Sequence, residues 1–318
     1  MSAAVFLIAA LILASVAAVL LWRRPPEPRA IEPAPVDPSA PLAPLEGVAA
    51  KPGAPARGAP LPVVLVHGLF GFDRIARFHY FRGIAAHLEA LGCEAIAVRL
   101  PPAQSVPDRA RVLADAIAAL PHPRVDVIAH SLGGLDARYA LSKLGLASRV
   151  RALVTIGTPH RGTPLADLAA AAGPLGLARK AIAALGVPLA AIDWLSTSAL
   201  AQFNAEIADV PGVRYACVVG GIHGPAALPI SAAHAYLQRV AGDNDGLVPV
   251  SSQYWGEPLA EIEADHFQQI GWRIAVRHTF DAPGLYAFVV ARLGDAPATA
   301  AALTDAPAPT AAAGPSAG

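Results

Sequence analysis

Short runs of consecutive apolar residues alternate along the chain with longer segments whose apolar positions recur at three- and four-residue spacing. PVVLV (62–66), EAIAVRL (94–100), VDVIA (125–129), VRALVTI (150–156) and VRYACVVGG (213–221) read as strands. FRGIAAHLEAL (81–91), DRARVLADAIAAL (108–120) and LGGLDARYALSKL (132–144) carry helical periodicity, and GLYAFVVARL (284–293) reads as a terminal helix. Strands that are apolar at nearly every position are buried on both faces, and that is the signature of a mostly parallel sheet covered by helices on each side. The pattern predicts an α/β fold.

The flanks read differently. Ala3 to Trp22 holds no charge, and as a helix at about 1.5 Å per residue it reaches across a bilayer core of about 30 Å. Residues 1–24 are therefore expected to be a transmembrane anchor. A cleaved signal peptide is the competing reading, but no Lys or Arg precedes the apolar run and the run is long for such a peptide. Arg23, Arg24 and Arg29 follow the run and favour a cytoplasmic flank, a signal too small to decide the side of the membrane. Residues 25–61 are rich in Pro and Ala and read as a linker, and 295–318 read as a disordered tail. The folded domain is expected over 62–294.

Composition narrows the class. The chain has 318 residues, 54% hydrophobic and 15% charged, which excludes global disorder. Lys plus Arg number 24 and Asp plus Glu number 24, and this balance argues against a nucleic-acid partner. Cys93 and Cys217 are the only cysteines, too few for a disulfide scaffold or a cysteine-rich zinc site, and both lie in or beside predicted strands as buried thiols.

The candidate chemistry centres on VDVIAHSLGGLDARY (125–139). A strand runs into Ala129-His130-Ser131-Leu132-Gly133 and a helix follows, the arrangement of a nucleophile elbow with Ala in place of the first Gly. The turn is so sharp that the residues two before and two after the serine must be small. Ser131 then projects from a helix start, where the Leu132 N–H and the helix dipole can stabilise an oxyanion. A second oxyanion amide is expected from Leu69, in His67-Gly68-Leu69-Phe70-Gly71 after the first strand. An activated serine needs a base and an acid, in the chain order Ser, acid, His. Asp245, on the NDG turn, is the favoured acid, with Asp243 behind it. His266 is the favoured base, with His278 as the alternative. His67 and His130 read as structural, and His223 and His234 show no partner in sequence.

Seven segments follow one another as in a known family: PVVLVHGLFGFD, HYFRGI, IAHSLGGLDARY, TIGTPHRGTPLAD, QFNAEI, NDGLVPV and DHFQQI. The chain resembles bacterial triacylglycerol lipases of the true-lipase type over about residues 62–292. The resemblance implies an α/β-hydrolase fold with a helical lid over about 164–208, acting on esters of long-chain fatty acids. Carried onto this sequence, it places the nucleophile at Ser131, the acid at Asp245, the histidine at His266 and the oxyanion amides at Leu69 and Leu132. It also implies a calcium site using an Asp two residues after the histidine, where this chain has Gln268. Glu261, Glu263 and Asp265 lie upstream and Gln269 follows, while VVGGIHGPAALPI (218–230) adds no carboxylate. Calcium is therefore not expected, and the His266 loop is expected to be held by packing and hydrogen bonds, with Trp272 and the final helix taking part.

The expected activity is serine-dependent hydrolysis of fatty-acid esters with no cofactor, on a lipid or acyl-ester substrate, by a domain tethered to a membrane through its N-terminal helix. A thioesterase or short-chain esterase of the same fold is the nearer alternative. A catalytically silent, tethered binding module is the more distant one.

Overall fold

The computed structural model describes residues 61–69, 74–75, 78–170, 190–224, 226, 230–272 and 280–293. The anchor and linker expected at the N-terminus, the tail, His278 and the segment 171–189 lie outside these residues. No helix among the described residues is long and apolar enough to cross a membrane.

A six-stranded sheet organises the domain. Its strands are β1 (Val63–Val66), β4 (Ala95–Val98), β5 (Val125–His130), β6 (Val150–Ile156), β7 (Arg214–Gly221) and β8 (Glu257–Glu263), in the order β4-β1-β5-β6-β7-β8. Every pairing in it is parallel. Two short strands, β2 (Arg74–Ile75) and β3 (Phe78–His79), form a separate antiparallel pair. The helices are α1 (Ile84–Ala90), α2 (Val106–Ala118), α3 (Leu132–Lys143), α4 (Pro164–Ala170), α5 (Ala190–Asp193), α6 (Thr197–Glu206), α7 (Ser231–Val240), α8 (Val250–Gln253) and α9 (Ala282–Leu293).

Although β1 is buried at every position, its side chains still divide by the two-residue period of a strand. Val63 and Leu65 join a cluster with Ile84 and Leu88 of α1 and Leu285, Tyr286 and Val289 of α9. Val64 and Val66 join a cluster with Leu113 and Ile117 of α2 and Ala137 and Leu141 of α3. The sheet therefore has two apolar faces, each covered by helices, as its near-continuous hydrophobicity requires. Helix α2 shows how a local signal sets an element. Ser105 caps it by accepting from the Asp108 N–H at 3.3 Å, Pro107 occupies its first turn, and Val106, Ala110, Leu113 and Ile117 form its buried stripe.

Two elements escape the hydrophobic reading. β8 has the sequence EPLAEIE and lies at the sheet edge, where Ala260 and Ile262 turn inward and Glu257 and Glu263 outward. α7 is amphipathic but interrupted by polar residues, and it packs Tyr236 and Leu237 against Leu168 of α4. Of the segment 164–208, where a lid is expected, the described residues form α4, α5 and α6. Asp167 of α4 binds Thr197 of α6 through its backbone N–H at 2.8 Å and its hydroxyl at 2.9 Å.

Leu153, in the middle of β6, is almost fully buried in the α2–α3 face. Leu153→Ala is expected to destabilise the domain by about 2–5 kcal/mol. Urea unfolding checks this, with the midpoint falling and the slope unchanged.

Candidate active site

The sharpest local feature is the turn from β5 into α3. Ser131 has φ 56° and ψ −132°, and it is the sole non-glycine residue with positive φ among the described residues. Its N–H donates to Ile156 O at 2.9 Å, and its carbonyl accepts from Thr158 Oγ1 at 2.8 Å and Gly134 N at 3.1 Å. These bonds hold a conformation that costs an L-residue about 1–3 kcal/mol. The space around the turn is equally restricted. A Cβ on Gly133 would lie 2.7 Å from Val66 O and 2.9 Å from His67 O. A Cβ on Gly68 would lie 2.7 Å from Ser131 Cβ and 3.1 Å from Ser131 Oγ, so the loop after β1 passes directly beside the serine hydroxyl. Leu132 is the first residue of α3, where a helical N–H has no intrahelical partner.

That loop is pinned from behind. Arg109 of α2 is fully buried and pairs with Asp136 of α3 at 2.8 Å. Its guanidinium also donates to Pro101 O at 2.5 Å, His67 O at 2.8 Å and Gly68 O at 3.3 Å. His67 Nδ1 donates to Gly68 O at 3.0 Å, and His67 Nε2 accepts from Leu100 N–H at 3.0 Å. Two donors thus fix the carbonyl of the Gly68–Leu69 peptide. In a trans peptide the N–H points opposite to the carbonyl, so the Leu69 N–H is aimed away from Arg109. The side chain of Leu69 packs against the buried cluster that includes Leu132, Leu135 and Leu200.

Asp245 and His266 meet directly, with His266 Nδ1 2.7 Å from Asp245 Oδ2 and the pair almost wholly buried. The other carboxylate oxygen, Oδ1, accepts from Leu247 N at 3.0 Å and Val248 N at 2.8 Å. The His266 N–H donates to Asp245 O at 2.9 Å. Asp243 is exposed and accepts from Gln238, so the structure does not bring it to His266. The His266 ring packs on the ring of His130 with centroids 4.5 Å apart, and Ser131 is the next residue in the chain.

The loop carrying His266 is closed by side chains at the positions where calcium ligands were sought. Asp265 Oδ1 accepts from Phe267 N at 2.9 Å and Gln268 N at 2.8 Å, and Gln268 Oε1 accepts from Asp265 N at 2.8 Å. Gln253 makes a two-point bond to Gly220, accepting its N–H at 2.7 Å and donating to its carbonyl at 2.8 Å. Glu261 binds the Tyr254 hydroxyl, and Glu263 is exposed. Trp272 Nε1 donates to Tyr80 O at 2.8 Å, tying the end of the loop to the segment before α1. No group of three or more His, Cys, Asp or Glu residues placed so that it could hold a metal ion occurs among the described residues.

Sequence reasoning missed the buried cations and amides. Arg138 lies over the Trp255 ring at 3.4 Å, donates to Asn204 Oδ1 at 2.9 Å, and is pushed down to about 9 by burial. Arg109 and Gln269 were equally hidden, because a charged or amide residue in a helical or loop pattern reads as a surface position. His234 sits 2.8 Å from Asn244 Oδ1, a partner seen only in the fold. Cys93 and Cys217 are both buried free thiols.

The α/β-hydrolase fold family matches residues 62–226, slightly more than half of the chain. The chain belongs to the α/β-hydrolase family. The triacylglycerol lipase of Pseudomonas fragi is 30% identical over 258 residues, covering 66% of this chain and 87% of that one. The triacylglycerol lipase of Vibrio cholerae serotype O1 is 27% identical over 259 residues, covering 69% and 82%. Among solved structures, the Bacillus licheniformis lipase BlEst2 in its mature form aligns with a TM-score of 0.57 at 26% identity, covering 69% of this chain and 91% of that one. The chain is thus a carboxylic ester hydrolase of the bacterial lipase kind. This α/β-hydrolase keeps three histidines neutral in its interior. His67 is driven down to about 3, first by burial and then by Arg109. His130 and His160 are also held well below the ordinary imidazole value, burial being the main cause for each.

In the unfolded chain these three rings take up protons near pH 6.5, while in the folded α/β-hydrolase they do not. Stability present above pH 6.5 should therefore be lost as the pH falls below it, for His67 by up to about 1.4 kcal/mol per pH unit until its folded-state value of about 3. Urea midpoints between pH 7.5 and 4.5 check this, and a flat profile would contradict it.

Proposed function

We propose that the chain hydrolyses carboxylic esters of fatty acids through an acyl-enzyme formed on Ser131. The observation that carries this reading is the Asp245–His266 pair, whose ring packs on the residue preceding a strained, backbone-locked serine. His266 keeps its Nδ1 proton on Asp245, which leaves Nε2 as the base that takes the Ser131 hydroxyl proton. The serine oxygen attacks the ester carbonyl. The developing oxyanion is held by the amides of Leu69 and Leu132, one fixed by Arg109 and His67 and the other at the start of α3. Asp245 stabilises the imidazolium, which then protonates the leaving alcohol, and water attacks the acyl-enzyme with His266 again as base.

An acyl substrate is favoured by the apolar cluster beside the serine, where Leu69, Leu132, Leu200, Trp194 and Leu195 meet. The relatives named triacylglycerol lipases support the same class. The helices over 164–208 are proposed as its lid, and residues 1–24 as a membrane anchor that tethers the domain.

Ser131→Ala is expected to lower ester turnover by orders of magnitude, on the order of 10⁶ where such a nucleophile is removed. Nitrophenyl esters of increasing acyl length read the substrate class. A lipase gains kcat/KM toward long chains, whereas an optimum at acetate or butyrate would make this a short-chain esterase.

No calcium is proposed. Calcium wants about six to eight oxygens, and here Asp265 Oδ1 and Gln268 Oε1 are already bonded to loop amides. Activity and melting temperature should be unchanged by EDTA. A fall in melting temperature reversed by added calcium would show that other oxygens build a site.

A further inference from the structure

Two buried polar atoms beside the Asp245–His266 pair, His130 Nε2 and Gln269 Oε1, lack a partner in full hydrogen-bond geometry. They belong to side chains that act on each other: the Gln269 side chain, like the main chain of His266, favours the protonated form of the His130 ring against the larger opposing effect of burial. The other end of each side chain is firmly held. Gln269 Nε2 donates to Asp245 Oδ2 at 3.1 Å, on the same oxygen that binds His266. His130 Nδ1 lies 2.8 Å from Tyr80 Oη, and that oxygen accepts from Gly68 N–H at 3.1 Å.

The proton positions follow from the carboxylate. Asp245 can only accept, so Gln269 turns its NH₂ toward it and its oxygen toward His130. An oxygen accepts, so His130 carries its proton on Nε2. A neutral imidazole has one N–H, so Nδ1 accepts from the Tyr80 hydroxyl. Burial keeps this ring neutral.

We propose that Gln269, His130 and Tyr80 are positioning residues that join the acid of the site to its oxyanion loop. The line runs from Asp245 through Gln269, His130 and Tyr80 to Gly68, the residue before Leu69. With two backbone amides on Oδ1 and two side-chain donors on Oδ2, the carboxylate cannot rotate away from His266. The fold makes room for the amide. A Cβ on Gly157, just after β6, or on Gly220 of β7 would run into the Gln269 side chain. A neutral His130 also places no second cation against His266 when that ring is protonated. This inference rests on the roles assigned above to Ser131, Asp245 and His266.

The test is the pH profile of kcat/KM for a soluble nitrophenyl ester, with rates normalised to sites titrated by a fluorophosphonate so that misfolded protein drops out. The acidic limb reports the pKa of His266 in the free enzyme. Among the described residues, the titratable groups facing that ring are Asp245, His130 and Asp265. Gln269→Leu removes a donor from Asp245 and leaves its charge less offset, so the acidic limb should move up by about half a pH unit or more. In the same variant kcat should fall about tenfold with KM within about twofold, the mark of lost transition-state alignment. His130→Phe keeps a flat ring and cuts the line, and Gly220→Ala displaces the amide without touching a catalytic residue. Both should lower kcat in the same way. If all three variants keep wild-type kcat per titrated site and an unmoved limb, the proposal is wrong. Ser131→Ala and His266→Ala run alongside. Should these two retain turnover, the catalytic reading fails first. Should they lose it while the other three do not, only the positioning line fails.

Discussion

Ser131 occupies a backbone conformation that a non-glycine residue holds only when its surroundings insist, and much of this molecule can be read as that insistence. The residue sits at φ 56°, between a strand buried at every position and a helix whose first turn contains two glycines. Its amide is tied to β6 and its carbonyl to Thr158 in the loop after that strand, so the neighbouring strand and its loop add to the bond from Gly134 within the turn's own segment. Gly133 and Gly68 then let β1 and its loop close to contact distance. A turn that costs about 1–3 kcal/mol persists because the sheet order β1-β5-β6 places bonding groups of β6 and the loop after it on one side and the close-packed loop after β1 on the other.

Around the turn, charge is handled by burial and pairing. Arg109 and Asp136 are both fully buried and bonded to each other, and the arginine spreads its remaining donors over Pro101 O and two carbonyls of the loop after β1. Breaking such a pair leaves an uncompensated charge in the interior, at a cost of about 3–5 kcal/mol. His67, His130 and His160 take the opposite course and are held neutral by burial, and the His67 ring is bonded at both nitrogens.

The sequence was most legible where one residue type suffices for the job. Valine and isoleucine runs marked β1, β5 and β6, and the small residues around Ser131 marked the elbow, because each is demanded by local geometry. It was less legible where the job is shared across the chain. β8 carries glutamates on its outward face because it is an edge strand, and no apolar run betrays it. Tyr80 and Trp272 are 192 residues apart yet hydrogen-bonded, and nothing in either neighbourhood names the other. Gln269 reads as an ordinary loop amide until two glycines on two different strands are seen to leave room for it. Gln268, at the position where the resemblance implies a calcium-binding acid, closes its own loop by accepting from the backbone N–H of Asp265.

The central claim is that Ser131 is the atom donor of the acyl-enzyme and that His266 activates it. The most direct measurement is reaction with a fluorophosphonate followed by peptide mass mapping of the adduct. One adduct per chain, located on Ser131 and formed orders of magnitude more slowly in His266→Ala, is the predicted result. An adduct on another residue, or undiminished labelling of Ser131→Ala, would contradict the account.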